Sequence, residues 1–97
     1  QSGIRPCVVM SNDLANRHSP VITVVPLTSK IRKKQYLPTH VFLNSYKNTG
    51  LGCHSLALCE QITSVAFSDV LEVAGRVSGR KLAEIGHAVK VQCGLAA

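Results

Sequence analysis

The stretch Val21-Ile22-Thr23-Val24-Val25-Pro26 decides the fold class of this chain. Its β-branched residues fit the pleated, half-buried surface of a sheet, so they predict a strand. Pro26 has no amide hydrogen to donate and therefore indicates a sheet edge or a bulge near the end of that strand. The apolar runs on either side, Cys7 to Met10 and Thr39 to Leu43, predict further strands.

The C-terminal half predicts more strands and one helix. Leu56 to Val65 is long enough for a strand that bends, and Leu71 to Val77 is a weaker strand candidate. Ser78 can cap a final helix. One face of that helix carries residues at helical spacing that suit a core or a subunit interface: Leu82, Ile85, Val89 and Cys93.

The order of these segments predicts a mainly β fold with a C-terminal helix. Residues 11–13 and 16–20 are rich in turn formers and predict loops. Short strands with polar turns favour a small barrel over a flat sheet, because closure protects strand edges from unwanted pairing.

A chain of 97 residues makes one small domain. The hydrophobic fraction of 45% can fill a core, and pairing with a second copy is a common way to stabilise so small a domain. No stretch predicts a membrane span or a secretory signal, so a cytoplasmic location is expected. The four cysteines match no zinc-site spacing. We interpret them as small buried hydrophobes, with a disulfide scaffold as the alternative, and predict no metal or cofactor.

Positive charge is concentrated in the first two thirds of the chain. Lys and Arg number 11 against 5 Asp and Glu, and no acidic residue stands between Asp13 and Glu60. That span carries six basic residues: Arg17, Lys30, Arg32, Lys33, Lys34 and Lys47. A one-sign field of this kind attracts nucleic acid, an anionic membrane or an acidic protein. A solvated basic loop that only aids solubility is the alternative.

Two segments at strand ends carry groups that can bind phosphate. Arg5-Pro6 stands before the first apolar run, where an Arg can offer its rigid fork of donors to an anion. Thr28-Ser29 ends the second strand with two adjacent hydroxyls. Either segment can instead be an ordinary surface Arg or a pair of turn-capping hydroxyls.

Glu60 and two histidines are candidates for proton transfer. Glu60 interrupts an apolar stretch, where a carboxylate needs a partner if it is buried, so it either pairs with an Arg or belongs to a site. His18 and His40 lie nearest the basic segment and can transfer protons or stack on a base. Each histidine can equally be a plain loop residue.

Five stretches together resemble one protein family. They are residues 5–13, 16–20, 26–29, 37–41 and 58–62, which begin with Arg5-Pro6-Cys7 and end with Glu60-Gln61-Ile62. In order and spacing they are similar to the MazF/PemK toxins over almost the whole chain. The resemblance implies an SH3-like barrel with added helices, acting as a homodimer. It also implies metal-independent cutting of single-stranded RNA at short sequences, and silencing by a cognate antitoxin.

The resemblance also implies roles for individual residues. Arg5 and Thr28 correspond to the family's catalytic pair, and Gln1 and Ser2 lie in a loop that helps to bind substrate. We add His18 and Glu60 as possible assistants in proton transfer. Candidate RNA contacts complete the set: Ser29, Lys30 and Tyr36.

Three departures from the family pattern affect these expectations. The family's first strand, with an Arg-Gly-Asp-like motif, does not appear, so residues 1–97 form a toxin domain that is N-terminally incomplete or has lost a strand. Thr63 stands where the family often has Arg, which puts an RNA contact in doubt. Leu58 replaces an Arg that some relatives use together with an Asp near Glu60 as acid and base, so that variant is not expected here.

The predicted reaction is attack by an RNA 2′-hydroxyl on the adjacent phosphate, which gives a 2′,3′-cyclic phosphate and a 5′-hydroxyl end. Arg5 would stabilise the growing charge and Thr28 would donate to a phosphate oxygen. One rival is a non-catalytic basic module that binds nucleic acid or a protein. The other is a toxin of similar fold that poisons a protein such as a topoisomerase.

Overall fold

Five short strands and two helices form the part of the chain that the structure, a computed structural model, describes: residues 3–31, 37–44 and 48–96. In chain order they are β1 (Cys7–Val9), α1 (Asp13–His18), β2 (Val21–Thr28), β3 (His40–Leu43), β4 (Ser55–Leu58), β5 (Thr63–Ala66) and α2 (Gly79–Gln92). Two 3₁₀ turns, Cys59–Gln61 and Phe67–Asp69, precede and follow β5. The mainly β fold with a C-terminal helix is confirmed.

The long strand β2 organises the antiparallel sheet. Its first edge pairs with β1, with Val8 opposite Val25. Its other edge pairs with β5, at Val21 to Val24, and then with β4, at Leu27 and Thr28. β3 adds to the outer edge of β4. Pairing among the described residues ends at β1 and at β3, so this sheet is open and the expected closure into a barrel is not seen.

Pro26 lies inside β2 without breaking the sheet. It falls between the pair Val24–Thr63, made with β5, and the pair Leu27–Ala57, made with β4. The strands paired with this edge of β2 are interrupted there, because the turn Cys59–Gln61 separates β4 from β5. A residue without an amide hydrogen costs least at such an interruption. The stretch from Leu56 to Val65, predicted as one bent strand, is therefore two strands.

The core lies between α2 and one face of the sheet. Its buried members are Val8, Val25, Leu27, Val41, Leu43, Ala57, Cys59, Ile85 and Ala88. Ile85 and Ala88 are the buried residues of α2, with Val89 partly buried beside them. Of the face predicted to be core or subunit interface, Ile85 and Val89 pack in the core, whereas Leu82 is 41% exposed and Cys93 is exposed, because the helix docks through its 85–88–89 stripe. Ser78 caps α2 as predicted, accepting a hydrogen bond from the Lys81 amide at 3.2 Å.

Two other local predictions were wrong. The predicted loop at 11–20 contains α1, which Asn12 caps by accepting a hydrogen bond from the Ala15 amide. Asp13 in its first turn and Arg17 in its last turn complement the helix dipole. Leu71 to Val77, a predicted strand, has no regular structure and is mostly exposed. It lacks the alternation of buried and exposed residues that a half-buried strand needs.

The cysteines divide into one buried and three exposed thiols. Cys59 is buried, whereas Cys7, Cys53 and Cys93 are exposed, which corrects the prediction that all four fill the core. Burial, with a smaller contribution from Glu60, raises the pKa of the Cys59 thiol to about 11. In the described ranges no helix has the length and apolarity to cross a membrane.

Candidate active site

Arg5 and Thr28 face each other across two neighbouring strands. The pairs Cys7–Pro26, Val8–Val25 and Val9–Val24 define the register of β1 on β2. The Leu27 amide donates to the Pro6 carbonyl at 3.0 Å, so the same register continues past the end of β1. One further step sets Arg5 opposite Thr28. Residues directly opposite in an antiparallel pair point to the same face, with Cβ atoms about 5 Å apart.

Local hydrogen bonds orient both side chains. An Arg5 Nη2 group donates to the Leu27 carbonyl at 3.2 Å, which holds the guanidinium beside the end of β2. The Thr28 Oγ1 atom accepts from the Lys30 amide at 3.1 Å. Because the hydroxyl oxygen accepts this bond, its own hydrogen remains available to donate. A guanidinium has five N–H donors, so the bond to Leu27 does not exhaust its capacity to bind an anion.

These two side chains line a cleft of about 410 Å³. Its lining is Arg5, Pro6, Leu27, Thr28, Ser29, Lys30, Leu51, Gly52, Cys53 and Ser55. Arg5 and Lys30 make it positive, and the described lining contains no carboxylate and no histidine. Ser29 and Lys30, predicted as RNA contacts, lie beside Thr28 in this cleft. The cleft can therefore hold a phosphate group against donors from two strands.

The sequence reasoning missed the opposite side of the cleft. Leu51, Gly52 and Cys53, here called the cleft wall, precede β4, and Ser55 begins it. In the sequence, Gly50 and Gly52 indicate a turn in this stretch, and nothing there points to a functional role. The pairing of Thr28 with Leu56 sets this wall beside the catalytic candidates, and that pairing is not visible in the sequence.

Glu60 has a structural environment rather than a place in this cleft. Its carboxylate accepts from the Thr39 hydroxyl at 3.1 Å and lies 3.1 Å from His40 Nε2. The expected Arg partner is replaced by His40, and Glu60 stands in a 3₁₀ turn rather than in a strand. Burial raises the pKa of Glu60, but a backbone hydrogen bond and the contacts with His40 and Thr39 outweigh it, so the pKa is lowered overall.

The remaining predicted residues are distributed as follows. His18 is exposed at the end of α1 and does not line the cleft. Gln1, Ser2 and Tyr36 lie outside the described residues. A larger groove of about 580 Å³ runs between β3 and α2, and its polar lining includes Arg80, Glu84 and His87. It contains neither Arg5 nor Thr28, so its size does not make it the reaction site. The described residues contain no group of three His, Cys, Asp or Glu side chains that could hold a metal ion.

Comparison with known proteins identifies the family. Residues 1–93 match the model of the PemK-like, MazF-like toxins of type II toxin–antitoxin systems. The chain belongs to the PemK/MazF toxin family. The chain is 43% identical to the endoribonuclease MazF9 of Mycobacterium tuberculosis, covering 94% of this chain and 79% of that protein. It is 35% identical to the endoribonuclease MazF of Staphylococcus saprophyticus, over 98% of this chain and 78% of that protein.

Solved PemK/MazF structures have the same fold. The M. tuberculosis toxin MazF-mt6 superposes with a TM-score of 0.82 at 20% identity, covering 96% of this chain and 89% of that one. A mycobacterial endoribonuclease in complex with its cognate antitoxin gives a TM-score of 0.79 at 23% identity, covering 98% and 85%. At these identities the likeness concerns the fold, and the mainly β architecture with a C-terminal helix is that of MazF toxins.

Proposed function

We infer that this chain is the endoribonuclease toxin of a type II toxin–antitoxin system, acting on single-stranded mRNA at specific short sequences. Its family and the two similar endoribonucleases support this function. The observation that carries it is the cross-strand placement of Arg5 and Thr28 in one positive cleft. A guanidinium and a hydroxyl that line one cleft can contact the same phosphodiester.

The reaction is internal transesterification of RNA. The 2′-oxygen forms a bond to the adjacent phosphorus and releases its proton to solvent water, while the bond from phosphorus to the 5′-oxygen breaks and that oxygen takes a proton from solvent water. The products are a 2′,3′-cyclic phosphate and a 5′-hydroxyl end. The nucleophile belongs to the substrate, so proximity costs no separate binding step and the reaction needs no metal ion.

Arg5 and Thr28 stabilise the transition state of this reaction. The cationic Arg5 guanidinium neutralises the charge that grows on the non-bridging phosphate oxygens. The Thr28 hydroxyl, whose oxygen already accepts from the Lys30 amide, donates its hydrogen to one of those oxygens. Ser29 and Lys30 bind the neighbouring backbone of the RNA. Glu60 is held by Thr39 and His40, so we assign it no part in proton transfer.

The partners proposed for the chain follow from its family and its charge. An antitoxin silences it, as relatives solved together with their antitoxins suggest. A second copy of the chain completes a homodimer, which is consistent with the exposed apolar side chains Leu82 and Phe67 on so small a domain. The proposed location is the cytoplasm, where its mRNA substrate is found.

The decisive experiment is digestion of a short single-stranded RNA in the presence of a chelator. We expect cleavage that leaves cyclic phosphate ends, and no cleavage when the nucleotide at the cut site is 2′-deoxy. Arg5→Ala should lower kcat by about 10²–10³, the loss typical for one transition-state donor. Arg80→Ala, which removes the same charge from α2 outside the cleft, should cut like the wild type.

Three outcomes would contradict the proposal. Continued cutting at a 2′-deoxy site would exclude internal attack. Binding of RNA without any cleavage would favour a non-catalytic module. Intact RNA together with broken DNA in intoxicated cells would favour a topoisomerase poison.

A further inference from the structure

Ser55 is a polar residue buried at the base of the candidate active site. It is 2% exposed, and among the described residues it is the one polar residue that is buried to this degree. A buried polar group is more informative than an exposed apolar one, because it must be satisfied by a partner. Here the Ser55 hydroxyl donates to the Cys53 carbonyl at 3.2 Å. The partner of this buried hydroxyl is therefore the backbone of the cleft wall.

The cleft wall is held from its other end as well. The Arg76 amide donates to the Asn48 carbonyl at 2.5 Å, and the Leu51 amide donates to the Thr49 hydroxyl at 3.2 Å. Gly50 adopts a positive φ of 68°, and a methyl group on it would collide with the backbone of Ala74. The turn before the wall is thus packed against residues 74–76, and Ser55 supplies the second point of attachment.

The position of Ser55 connects the wall to the catalytic pair. Its neighbour Leu56 is the cross-strand partner of Thr28. Two consecutive residues of β4 therefore contact the two sides of the cleft. Leu56 pairs with Thr28 on one side, and the Ser55 hydroxyl bonds to Cys53 on the other. A change in the Ser55 hydrogen bond would move the wall relative to Arg5 and Thr28 without touching either of them.

We propose that Ser55 is a positioning residue for RNA cleavage, whose hydroxyl fixes the cleft wall opposite the Arg5–Thr28 pair. This inference rests on the proposed endoribonuclease function. A fixed wall confines the phosphodiester against the donors that stabilise its transition state, and small misplacements of a reacting group are costly to the rate. The charges of Arg5 and Lys30 attract RNA wherever the wall lies, so the wall affects turnover more than affinity.

The same strand region offers a matched control. The buried Cys59 thiol lies 3.9 Å from the Ala57 carbonyl, two residues before it, as the Ser55 hydroxyl does with Cys53. Burial keeps the Cys59 thiol protonated, because its pKa is raised to about 11. Cys59 is buried in the core and does not line the cleft. Cys59→Ala therefore removes an equivalent local contact without reaching the wall.

The test compares the steady-state cleavage of one RNA by the wild type, Ser55→Ala, Ser55→Thr and Cys59→Ala, well below each protein's Tm. We expect Ser55→Ala to lower kcat roughly ten- to a hundredfold with KM changed less than about twofold. Ser55→Thr keeps the hydroxyl and should recover most of the rate. Cys59→Ala should keep the wild-type kcat. Faster hydrogen exchange of the amides at 51–54 in Ser55→Ala would report directly on the loosened wall.

The outcomes separate this proposal from the function on which it rests. An active wild type with an unchanged kcat in Ser55→Ala overturns the role of Ser55 and leaves the endoribonuclease function standing. The role of Ser55 is overturned equally if Ser55→Thr is as impaired as Ser55→Ala, or if Cys59→Ala loses as much rate. A wild-type protein that binds RNA but never cuts it would contradict both the role of Ser55 and the endoribonuclease function.

Discussion

The polar side chains discussed above either line the cleft or connect neighbouring elements of the sheet. Glu60 belongs to the second group. Its carboxylate bonds to Thr39 and His40, and so connects the start of β3 to the turn between β4 and β5. From the sequence alone a carboxylate in an apolar stretch was compatible with a site or with an ion pair. The geometry assigns it to a structural contact, with His40 in place of the expected arginine.

The lowered pKa of Glu60 predicts how stability depends on pH. A carboxyl whose pKa is lowered on folding stabilises the folded state above its ordinary value of 4.5, and this contribution is lost as pH falls through the folded pKa. We expect Glu60→Gln to destabilise the protein by about 1–3 kcal/mol near neutral pH. The difference from the wild type should shrink as the pH is lowered below 4.5. Thermal unfolding over a pH series measures it.

Glu84→Gln is the matched control for this prediction. Glu84 pairs with Lys81 on the exposed surface of α2 at 3.4 Å. Surface pairs of this kind contribute little to stability, so the Tm of Glu84→Gln should match that of the wild type at each pH. A constant difference between Glu60→Gln and the wild type across the whole pH series would show that the carboxylate's charge is not what stabilises the fold.

At the scale of elements, sequence patterns predicted the secondary structure of a segment better than they predicted its packing partners. The β-branched run and the Ser78 cap correctly located β2 and α2. The break between β4 and β5 was missed, because it depends on which strand lies opposite Pro26. The cleft wall was missed for a similar reason: the turn before it packs against residues 74–76, more than twenty positions along the chain. Contacts between distant segments leave little trace in local periodicity.

Substitutions at Ile85 and Leu82, two α2 residues of similar size, test which face of the helix packs on the sheet. Ile85 is fully buried against the sheet, whereas Leu82 is 41% exposed although the sequence placed both on one apolar face. Ile85→Ala should cost about 2–5 kcal/mol of unfolding free energy, because it leaves a cavity in the core. Leu82→Ala should cost less than about 1 kcal/mol in the monomer. Equal losses in chemical denaturation would place the docking stripe elsewhere on the helix.

For the molecule as a whole, we expect charge to set the affinity for RNA and geometry to set the rate of cleavage. The net charge of +6 attracts any polyanion, whereas the end of β2 brings the Arg5 guanidinium and the Thr28 hydroxyl into one cleft. The sequence revealed the charge directly, and the family resemblance pointed to the two residues. The cross-strand register that joins them could be read only from the structure.

Salt dependence of RNA binding should report the electrostatic part. For single-stranded RNA the logarithm of the binding constant falls with the logarithm of salt concentration by about 0.7 for each phosphate contact. Lys30→Ala removes a cation from the cleft and should reduce this slope by about 0.7. Lys90→Ala, in the last turn of α2, should leave the slope unchanged. An identical slope in all three proteins would exclude Lys30 from the RNA interface.

By the proposed mechanism, toxicity depends on the register of β1 on β2 and so on a correctly paired sheet. Side chains alternate between the two faces of a strand, so a slip of one residue would turn Arg5 away from Thr28 and toward the opposite face. A nascent or misfolded chain therefore lacks the assembled pair even though both residues have been synthesised. A cell that makes this protein therefore meets its toxic activity only after β1 and β2 have paired in register.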